Sequence, residues 1–287
     1  MRWTPGEPNP DVEDMRGSSG GGGGFGVGRI GIGGFVVLLL LSLIFHRNFF
    51  ALVGGGGGAP AGSPAGQSAP VSTSPAEAHE IDYVGAVLRD VQNTWTQIFA
   101  QNGQSYRHAK LDIFTGGIRS GCGFAQTEMG PFYCPADEKV YIDLAFYNEL
   151  RDRFGAAGDF AQAYVIAHEV GHHVQKLLGI SGKVEQEQQD NPRQARALSV
   201  KLELQADCLA GVWAHSTQQR GILQAGDIDQ ALNAASAVGD DRIQKQTTGQ
   251  VNPETWTHGS AAQRSHWFKT GFDSGSIQSC DTFGAGQ

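Results

Sequence analysis

The sequence lacks clusters of basic residues and carries a surplus of acidic ones. Its 287 residues include 21 lysines and arginines against 29 aspartates and glutamates, which gives a formal net charge of −8. Proteins that bind nucleic acid usually carry a basic patch on one face or along a helix. The charge balance therefore excludes nucleic acid as an expected partner.

Cysteine is scarce, and no two cysteines have the Cys-x-x-Cys spacing of a structural zinc site.

Long apolar runs are scarce as well. The one candidate membrane segment is Ile30–Phe45, a run of 16 uncharged residues. As a helix it spans roughly 24 Å, and the following residues to Val53 can extend it. A buried core helix is one alternative, but the flanking sequence is polar and offers nothing to pack against.

A cleaved signal peptide is the stronger alternative for this run. Its charged leader is usually short, whereas here 29 residues with four acidic side chains precede the apolar run. We therefore predict a retained transmembrane anchor over 29–53. Arg16 and Arg29 precede the span and only Arg47 follows it before Arg89, which favours a cytoplasmic N-terminus and an extracytoplasmic C-terminal domain.

Composition divides the rest of the chain. Residues 1–28 are rich in Gly and Pro without periodicity, which predicts a disordered cytoplasmic tail. Residues 54–80 are mostly Gly, Ala, Pro and Ser, which predicts a flexible linker. Residues 81–287 are long enough to bury their own core and should form the folded domain.

The folded domain is predicted to be α+β and mainly helical, with a small sheet. An amphipathic helix spans Val84 to Phe99, and Lys110–Phe114 and Lys139–Asp143 alternate like strands. A capping box at Asp159 predicts a helix from Phe160 to Leu178.

In the second half of the domain, the sequence predicts a loop followed by helices. After Gly179 we predict a Gln- and Glu-rich loop, and then a helix that begins at Asn191-Pro192. Further capping boxes at Asp227 and at Ser260 predict two more helix starts.

The helix from Phe160 contains the sequence His168-Glu169-Val170-Gly171-His172. Histidines four apart on a helix leave the same face and can bind one metal ion. Glu169 lies beside them, where its carboxylate can reach a metal-bound water as a general base. His173 is turned too far round the helix to share the metal, which predicts a residue at the surface or hydrogen-bonded behind the ligands.

A catalytic zinc usually takes three protein ligands and one water. Glu203 is the predicted third ligand, because it lies on the next long helix with Asp207 one turn further along the same face. Asp207 would then accept a hydrogen bond from the free ring nitrogen of His168. Glu185 and Glu187 are alternative ligands, although they fall in the predicted loop. Glu203 and Asp207 could also be ordinary surface acids.

The four cysteines allow three pairings. With the domain outside the cytoplasm, we predict the disulfide bonds Cys122–Cys134 and Cys208–Cys280. Four free buried thiols are the alternative.

Several motifs together resemble the bacterial neutral zinc metallopeptidase family. They are His168 to Gln175, Glu203 to Gly211, Gly130 to Pro135, and Thr257 to Ser260 with Arg264. The resemblance covers residues 81–287 and the N-terminal anchor arrangement. It implies a gluzincin-like zinc peptidase with one Zn²⁺ per chain and a peptide or protein substrate. In such a fold, the strand Lys139–Asp143 would be an edge strand near the cleft that pairs with an extended substrate.

The predicted reaction is hydrolysis of a peptide bond, with Glu169 as general base. We predict His258 as the donor that stabilises the oxyanion, with Arg264 holding His258 or binding the substrate backbone. A turn residue and a surface cation are the alternative interpretation of these two. Two other functions stay open: a non-catalytic zinc-binding envelope protein that binds partners, and a zinc hydrolase of a non-peptide amide.

Overall fold

The computed structural model describes residues 1–4, 6–17 and 73–284. The predicted anchor over 29–53 and most of the predicted linker lie outside the described residues. Within those that are described, no helix has the length and apolar character required to cross a membrane.

The described chain is a mainly helical α+β fold with a small sheet, as predicted. The strands are β1 (Val12–Asp14), β2 (Lys110–Phe114), β3 (Gly117–Ser120), β4 (Gly123–Gln126), β5 (Phe132–Cys134) and β6 (Lys139–Asp143). The helices are α1 (Pro75–Gln101), α2 (Ala145–Asp152), α3 (Asp159–Leu177), α4 (Ile180–Asp190), α5 (Ala195–Gln219), α6 (Asp227–Ala237), α7 (Asp240–Thr248) and α8 (Ala261–Ser274).

Helix α1 begins inside the predicted linker. Ser74 and Glu77 form a capping box, and Pro75 occupies the first turn, where a missing N–H costs nothing. Residues 75–80 are therefore helical, which corrects the predicted linker boundary at 80. The buried face of α1 carries Val84, Leu88 and Trp95.

Helix α3 starts at the predicted place but through a different contact. The N-cap of α3 is Gly158, and no N-cap side chain accepts a hydrogen bond from the first turn. The predicted capping box at Asp159 is therefore wrong. The side chain of Gln230 on α6 accepts the hydrogen bond from the Phe160 backbone N–H at 3.0 Å instead. The start of α6 also lacks its predicted box, because the carboxylate of Asp227 accepts from the Met1 amino group and the Gln224 N–H.

The segment after Gly179 is helix α4 rather than the predicted loop. Gly179 adopts a left-handed conformation with φ 73° and turns the chain, and α4 then begins. Glutamine and glutamate are good helix formers, so the composition that suggested a loop suits an exposed helix equally well.

The four-stranded sheet has the order β1-β2-β6-β5. Strand β2 pairs in parallel with β6, and β5 pairs antiparallel with β6. Strand β6 (Lys139–Asp143) therefore lies inside the sheet, and its predicted position at the edge is wrong. At that side of the described sheet, β5 is the outermost strand.

The N-terminal residues are folded against the domain, so the predicted disordered tail is wrong for residues 1–4 and 6–17. Strand β1 pairs in parallel with β2, with Val12 opposite Leu111. The side chain of Met1 is buried in the core, and that of Arg16 has only 4 % of its surface exposed. The rest of the predicted tail lies outside the described residues.

Three glycines let α3, α5 and α8 approach each other closely. A Cβ atom on Gly171 would lie 3.1 Å from the Ala206 carbonyl oxygen. One on Gly211 would lie 2.1 Å from the Phe268 carbonyl oxygen, and one on Gly271 would lie 1.9 Å from that of Cys208. Any side chain at these three positions would push the helices apart. The site described below is built from residues of all three helices.

Two disulfide bonds join distant parts of the domain, with the two predicted pairings. Cys122–Cys134 fastens the β3–β4 hairpin to β5, and Cys208–Cys280 fastens α5 to the C-terminal segment. The described residues include no free cysteine. Closing a loop of this kind typically stabilises a protein by about 2–4 kcal/mol.

Candidate metal centre

The three predicted ligands meet between α3 and α5. His168, His172 and Glu203 each offer one ligand atom, and these atoms lie within 4.8 Å of one another. His168 Nε2 is 3.2 Å and His172 Nε2 is 3.4 Å from the Glu203 carboxylate. The alternative ligands Glu185 and Glu187 are exposed on α4 and take no part in the cluster.

The cluster has the donor set that Zn²⁺ prefers, two imidazoles and one carboxylate. Burial disfavours the protonated form of His168, but Asp207 and Glu203 outweigh it and raise its pKa to about 10. Burial likewise opposes ionisation of Glu203, yet the two histidines hold its pKa well below the usual value. The cluster thus favours positive charge between its carboxylates, which a divalent cation would supply. The residues therefore fit a zinc ion.

A buried ion pair supports His168 from behind. Asp207 accepts a hydrogen bond from His168 Nδ1 at 2.9 Å, as predicted, which leaves Nε2 for the metal. Arg264 donates to both oxygens of the same carboxylate, at 2.8 and 2.9 Å. Tyr164 also bonds Asp207 through its hydroxyl group. Arg264 is thus part of the support of the ligand. Within the part of the chain that the structure describes, its hydrogen bonds go to Asp207, Tyr164, His168 and the Val238 carbonyl and not to His258, so the predicted role of holding His258 is wrong.

Gln175 supports His172 in the same manner. Its Oε1 accepts from His172 Nδ1 at 2.9 Å, and its Nε2 donates to the Leu202 carbonyl at 2.7 Å. The amide is therefore held in one orientation, and His172 Nε2 is left facing the Glu203 carboxylate. Gln175 is the last residue of the motif His168 to Gln175, but the motif alone predicts no role for it. The available signal was its position three residues after His172 on the same helix face.

Replacing Gln175 tests this support. We expect Gln175→Leu to weaken zinc affinity about 10–100-fold, because the orientation of His172 is lost. Gln175→Glu keeps the acceptor for His172 and loses the two hydrogen bonds that Nε2 donates, to the Leu202 carbonyl and to Gln205 Oε1, so it should weaken zinc affinity less than Gln175→Leu does. Competition with a chromogenic chelator measures both affinities. Equal affinities for the two variants would contradict the role assigned to the Gln175 oxygen.

Glu169 lies on α3 beside the ligand histidines and is 8 % exposed. Burial raises the pKa of its carboxyl group, although the neighbouring histidines oppose this effect. A carboxylate with a raised pKa is the stronger base when ionised, which suits the predicted role.

His258 lies in the loop before α8, with its side chain 42 % exposed. Asp240 at the start of α7 organises this loop. Its carboxylate accepts from the backbone N–H groups of Thr257, His258 and Gly259 at 2.6–3.0 Å, and from His258 Nδ1 at 3.2 Å. Burial lowers the pKa of His258, but Asp240 and Glu203 raise it above its ordinary value. Asp240 escaped sequence reasoning, since 18 residues separate it from its partner.

His173 is fully buried, so the predicted position at the surface is wrong. Its hydrogen bonds run to Arg107 and Tyr133 and not to His168, His172 or Glu203, so it does not support a predicted ligand either. Its Nε2 bonds the Arg107 carbonyl oxygen at 2.6 Å, so its Nδ1 accepts from the Tyr133 hydroxyl at 2.9 Å. Tyr133 lies on β5. His173, the residue after the predicted ligand His172, thus fastens β5 to α3.

Fold and site together define a class: a mainly helical α+β domain with the HExxH motif on α3 and a third candidate ligand, Glu203, on α5. The model of the family described as Putative neutral zinc metallopeptidase matches residues 1–283, and the chain belongs to this family. No solved structure matches significantly.

Two bacterial relatives are similar over much or all of their length. The Uncharacterized protein YpfJ of Escherichia coli (strain K12) is 50 % identical over 288 residues, which is 99 % of each chain. The Uncharacterized protein Rv2575 of Mycobacterium tuberculosis (strain ATCC 25618 / H37Rv) is 50 % identical over 191 residues, which is 63 % of this chain and 64 % of the relative.

Proposed function

We propose that this protein is a zinc-dependent peptidase with a gluzincin-like active site. The observation that carries the proposal is the convergence of His168, His172 and Glu203 beside the buried carboxylate of Glu169. A purely structural metal site would not need that carboxylate. A zinc ion held by the three ligands would supply a Lewis acid that polarises the scissile carbonyl and lowers the pKa of water to around 7.

Glu169 performs the proton transfers of the proposed reaction. It accepts a proton from the attacking water and delivers it to the leaving amine. Asp207, Arg264 and Gln175 hold the two ligand histidines in one tautomer and orientation, so the site needs little rearrangement before reaction.

His258 is the proposed donor to the oxyanion that forms from the carbonyl. Its Nδ1 interacts with Asp240, so Nε2 is the nitrogen that remains for substrate. An imidazole whose Nδ1–H donates to Asp240 has a proton on Nε2 only when it is charged, and the carboxylate of Asp240 favours that form. Asp240 is therefore proposed to keep His258 ready to donate.

We expect His258→Phe to reduce turnover about 10²–10³-fold with zinc content and KM little changed, since one oxyanion donor typically contributes that much. Asp240→Asn should reduce turnover less, because its amide oxygen can still accept from the loop backbone. Initial rates on a cleaved peptide measure both. Normal turnover in His258→Phe protein would show that this loop provides no donor to the oxyanion.

Strand β5 is the proposed binding site for an extended substrate. Within the described sheet it is paired only with β6, and Tyr133 fastens it to the metal-binding helix. A peptide that adds to this edge by main-chain hydrogen bonds would be held in place with little dependence on its side chains. Unfolded or extended segments are thus the proposed substrate class.

An extracytoplasmic location of the catalytic domain is also proposed. Disulfide bonds persist mainly in oxidising compartments, and the domain has two. Attachment to the membrane through Ile30–Phe45 stays a prediction.

A substrate screen tests the function directly. Peptides derived from a bacterial proteome are incubated with zinc-loaded wild-type or Glu169→Gln protein, and new termini are identified by mass spectrometry. New peptide termini only with the wild type would support the peptidase. No new termini would contradict it, and release of amines from cell-wall material instead would indicate a hydrolase of non-peptide amides.

A further inference from the structure

The N-terminal residues are bound to several separate parts of the catalytic domain. Strand β1 extends the sheet, with Glu13 opposite Asp112 and Asp14 opposite Ile113. The Arg2 N–H donates to the Ile222 carbonyl at 2.8 Å, after helix α5. The segment thus crosses the domain from the end of α5 to the edge of the sheet.

Charged groups of the segment pair with charged groups of the domain. Lys110 Nζ lies 2.8 Å from the Asp11 carboxylate. Lys139 Nζ on β6 lies 2.9 Å from Glu13 and 3.0 Å from Asp112, so it bridges the two facing strands. These ion pairs hold β1 against the sheet and favour the observed register.

Apolar and close-packed contacts bind the rest of the segment. Trp3 packs edge-to-face on Tyr83, with ring centroids 5.2 Å apart. Asn9 lies over Gly85 on α1, where a Cβ atom would come within 3.3 Å of the Asn9 Cβ, and its side chain donates to the Gly85 carbonyl at 2.8 Å. Helix α1 is therefore shaped to receive this segment.

The chain leaves the domain and returns to it at the same place. Arg16 Nη2 donates to Thr73 Oγ1 at 3.1 Å, and Arg16 Nη1 lies 3.1 Å from the Glu77 carboxylate. The guanidinium group is buried, so it depends on these partners and on Asp14 to balance its desolvation.

A chain that crossed a bilayer once between Gly17 and Thr73 would place these partners on opposite sides, where none of the bonds could form. We propose that residues 1–17 lie in the same compartment as the catalytic residues, as the edge strand of the catalytic sheet. Together with the extracytoplasmic location proposed above for the domain, this places the N-terminus outside the cytoplasm, in place of the predicted cytoplasmic N-terminus and the predicted single-pass anchor.

Labelling of single introduced cysteines tests the proposal in the full-length protein. Glu7→Cys reports on the N-terminal segment and Glu185→Cys on the domain, because both positions are exposed. Spheroplasts are treated with a membrane-impermeant maleimide before and after lysis, with wild-type protein and a cytosolic marker as controls. The proposal expects the two positions to be labelled together or protected together. Labelling of Glu185→Cys with protection of Glu7→Cys until lysis would overturn it.

A cross-link tests the pairing of the strands. Glu13→Cys/Asp112→Cys joins facing residues of β1 and β2, whereas Glu13→Cys/Lys110→Cys is displaced by two residues on the same face. Non-reducing peptide mapping should find the 13–112 bond and little 13–110 bond. Absence of the 13–112 bond in protein that has formed its two native disulfides would overturn the proposal. Neither test uses activity, so the result is independent of the proposed function.

Discussion

Glu169→Gln protein is expected to bind about one zinc ion per chain and to hydrolyse peptide bonds about 10²–10⁴-fold more slowly than the wild type. Glutamine has nearly the same shape as glutamate but cannot accept a proton at neutral pH. Glu169 does not belong to the three-residue ligand cluster, so the change should leave the metal in place. Metal analysis of the purified protein and initial rates on a cleaved peptide measure the two effects.

Glu203→Gln is the matched comparison, because it makes the same chemical change on a ligand. It should lose zinc affinity, and its loss of turnover should be partly recovered by added zinc. Glu169→Gln should show no recovery. Wild-type turnover in metal-loaded Glu169→Gln protein would assign the base to another residue.

Arg264→Met is expected to have the largest effect on stability. The substitution leaves the carboxylate of Asp207, which has no exposed surface, without its main cationic partner. Burial raises the pKa of that carboxyl group, and Arg264 and His168 together hold it below the usual value. Breaking a buried ion pair from one side costs about 3–5 kcal/mol. For a domain of this size we therefore expect the Tm to fall by roughly 6–20 °C.

Two companion variants separate charge from metal support. Arg151→Met removes an exposed cation paired with Asp152 and should leave the Tm nearly unchanged. Arg264→Met/Asp207→Leu removes both buried charges and should recover part of the lost stability, while zinc affinity stays low because His168 has lost its acceptor. Thermal unfolding of zinc-free and zinc-loaded protein measures both effects. An unchanged Tm in Arg264→Met protein would show that the pair contributes no net stability.

The elements that local sequence determines were predicted well. Strands Lys110–Phe114 and Lys139–Asp143 have the predicted bounds, and Ser260 with Gln263 forms the predicted capping box. The spacing of His168 and His172 places both imidazoles on one helix face through helix geometry alone. Glu203 and Asp207 could be predicted because they repeat that spacing on the next long helix, α5.

Tertiary structure decided the features that join residues distant in sequence. Pairing of β6 with both β2 and β5 moved it from the expected edge to the interior, and backbone hydrogen bonding between strands leaves no local trace in composition. Arg264 pairs with Asp207 because glycines let α5 and α8 approach closely, whereas the local sequence suggested His258 as its partner.

The N-terminal segment is the clearest case. Its Gly- and Pro-rich composition indicated disorder, because a short polar segment cannot bury enough apolar surface on its own. An existing sheet edge, the close approach that Gly85 allows and the ammonium groups of Lys110 and Lys139 provide what the segment lacks. By itself, the sequence determined helix α3 and the spacing of His168, Glu169 and His172 on it. Only the tertiary structure determined which distant residues support them and which strand completes the sheet, because such contacts depend on the geometry of the whole fold.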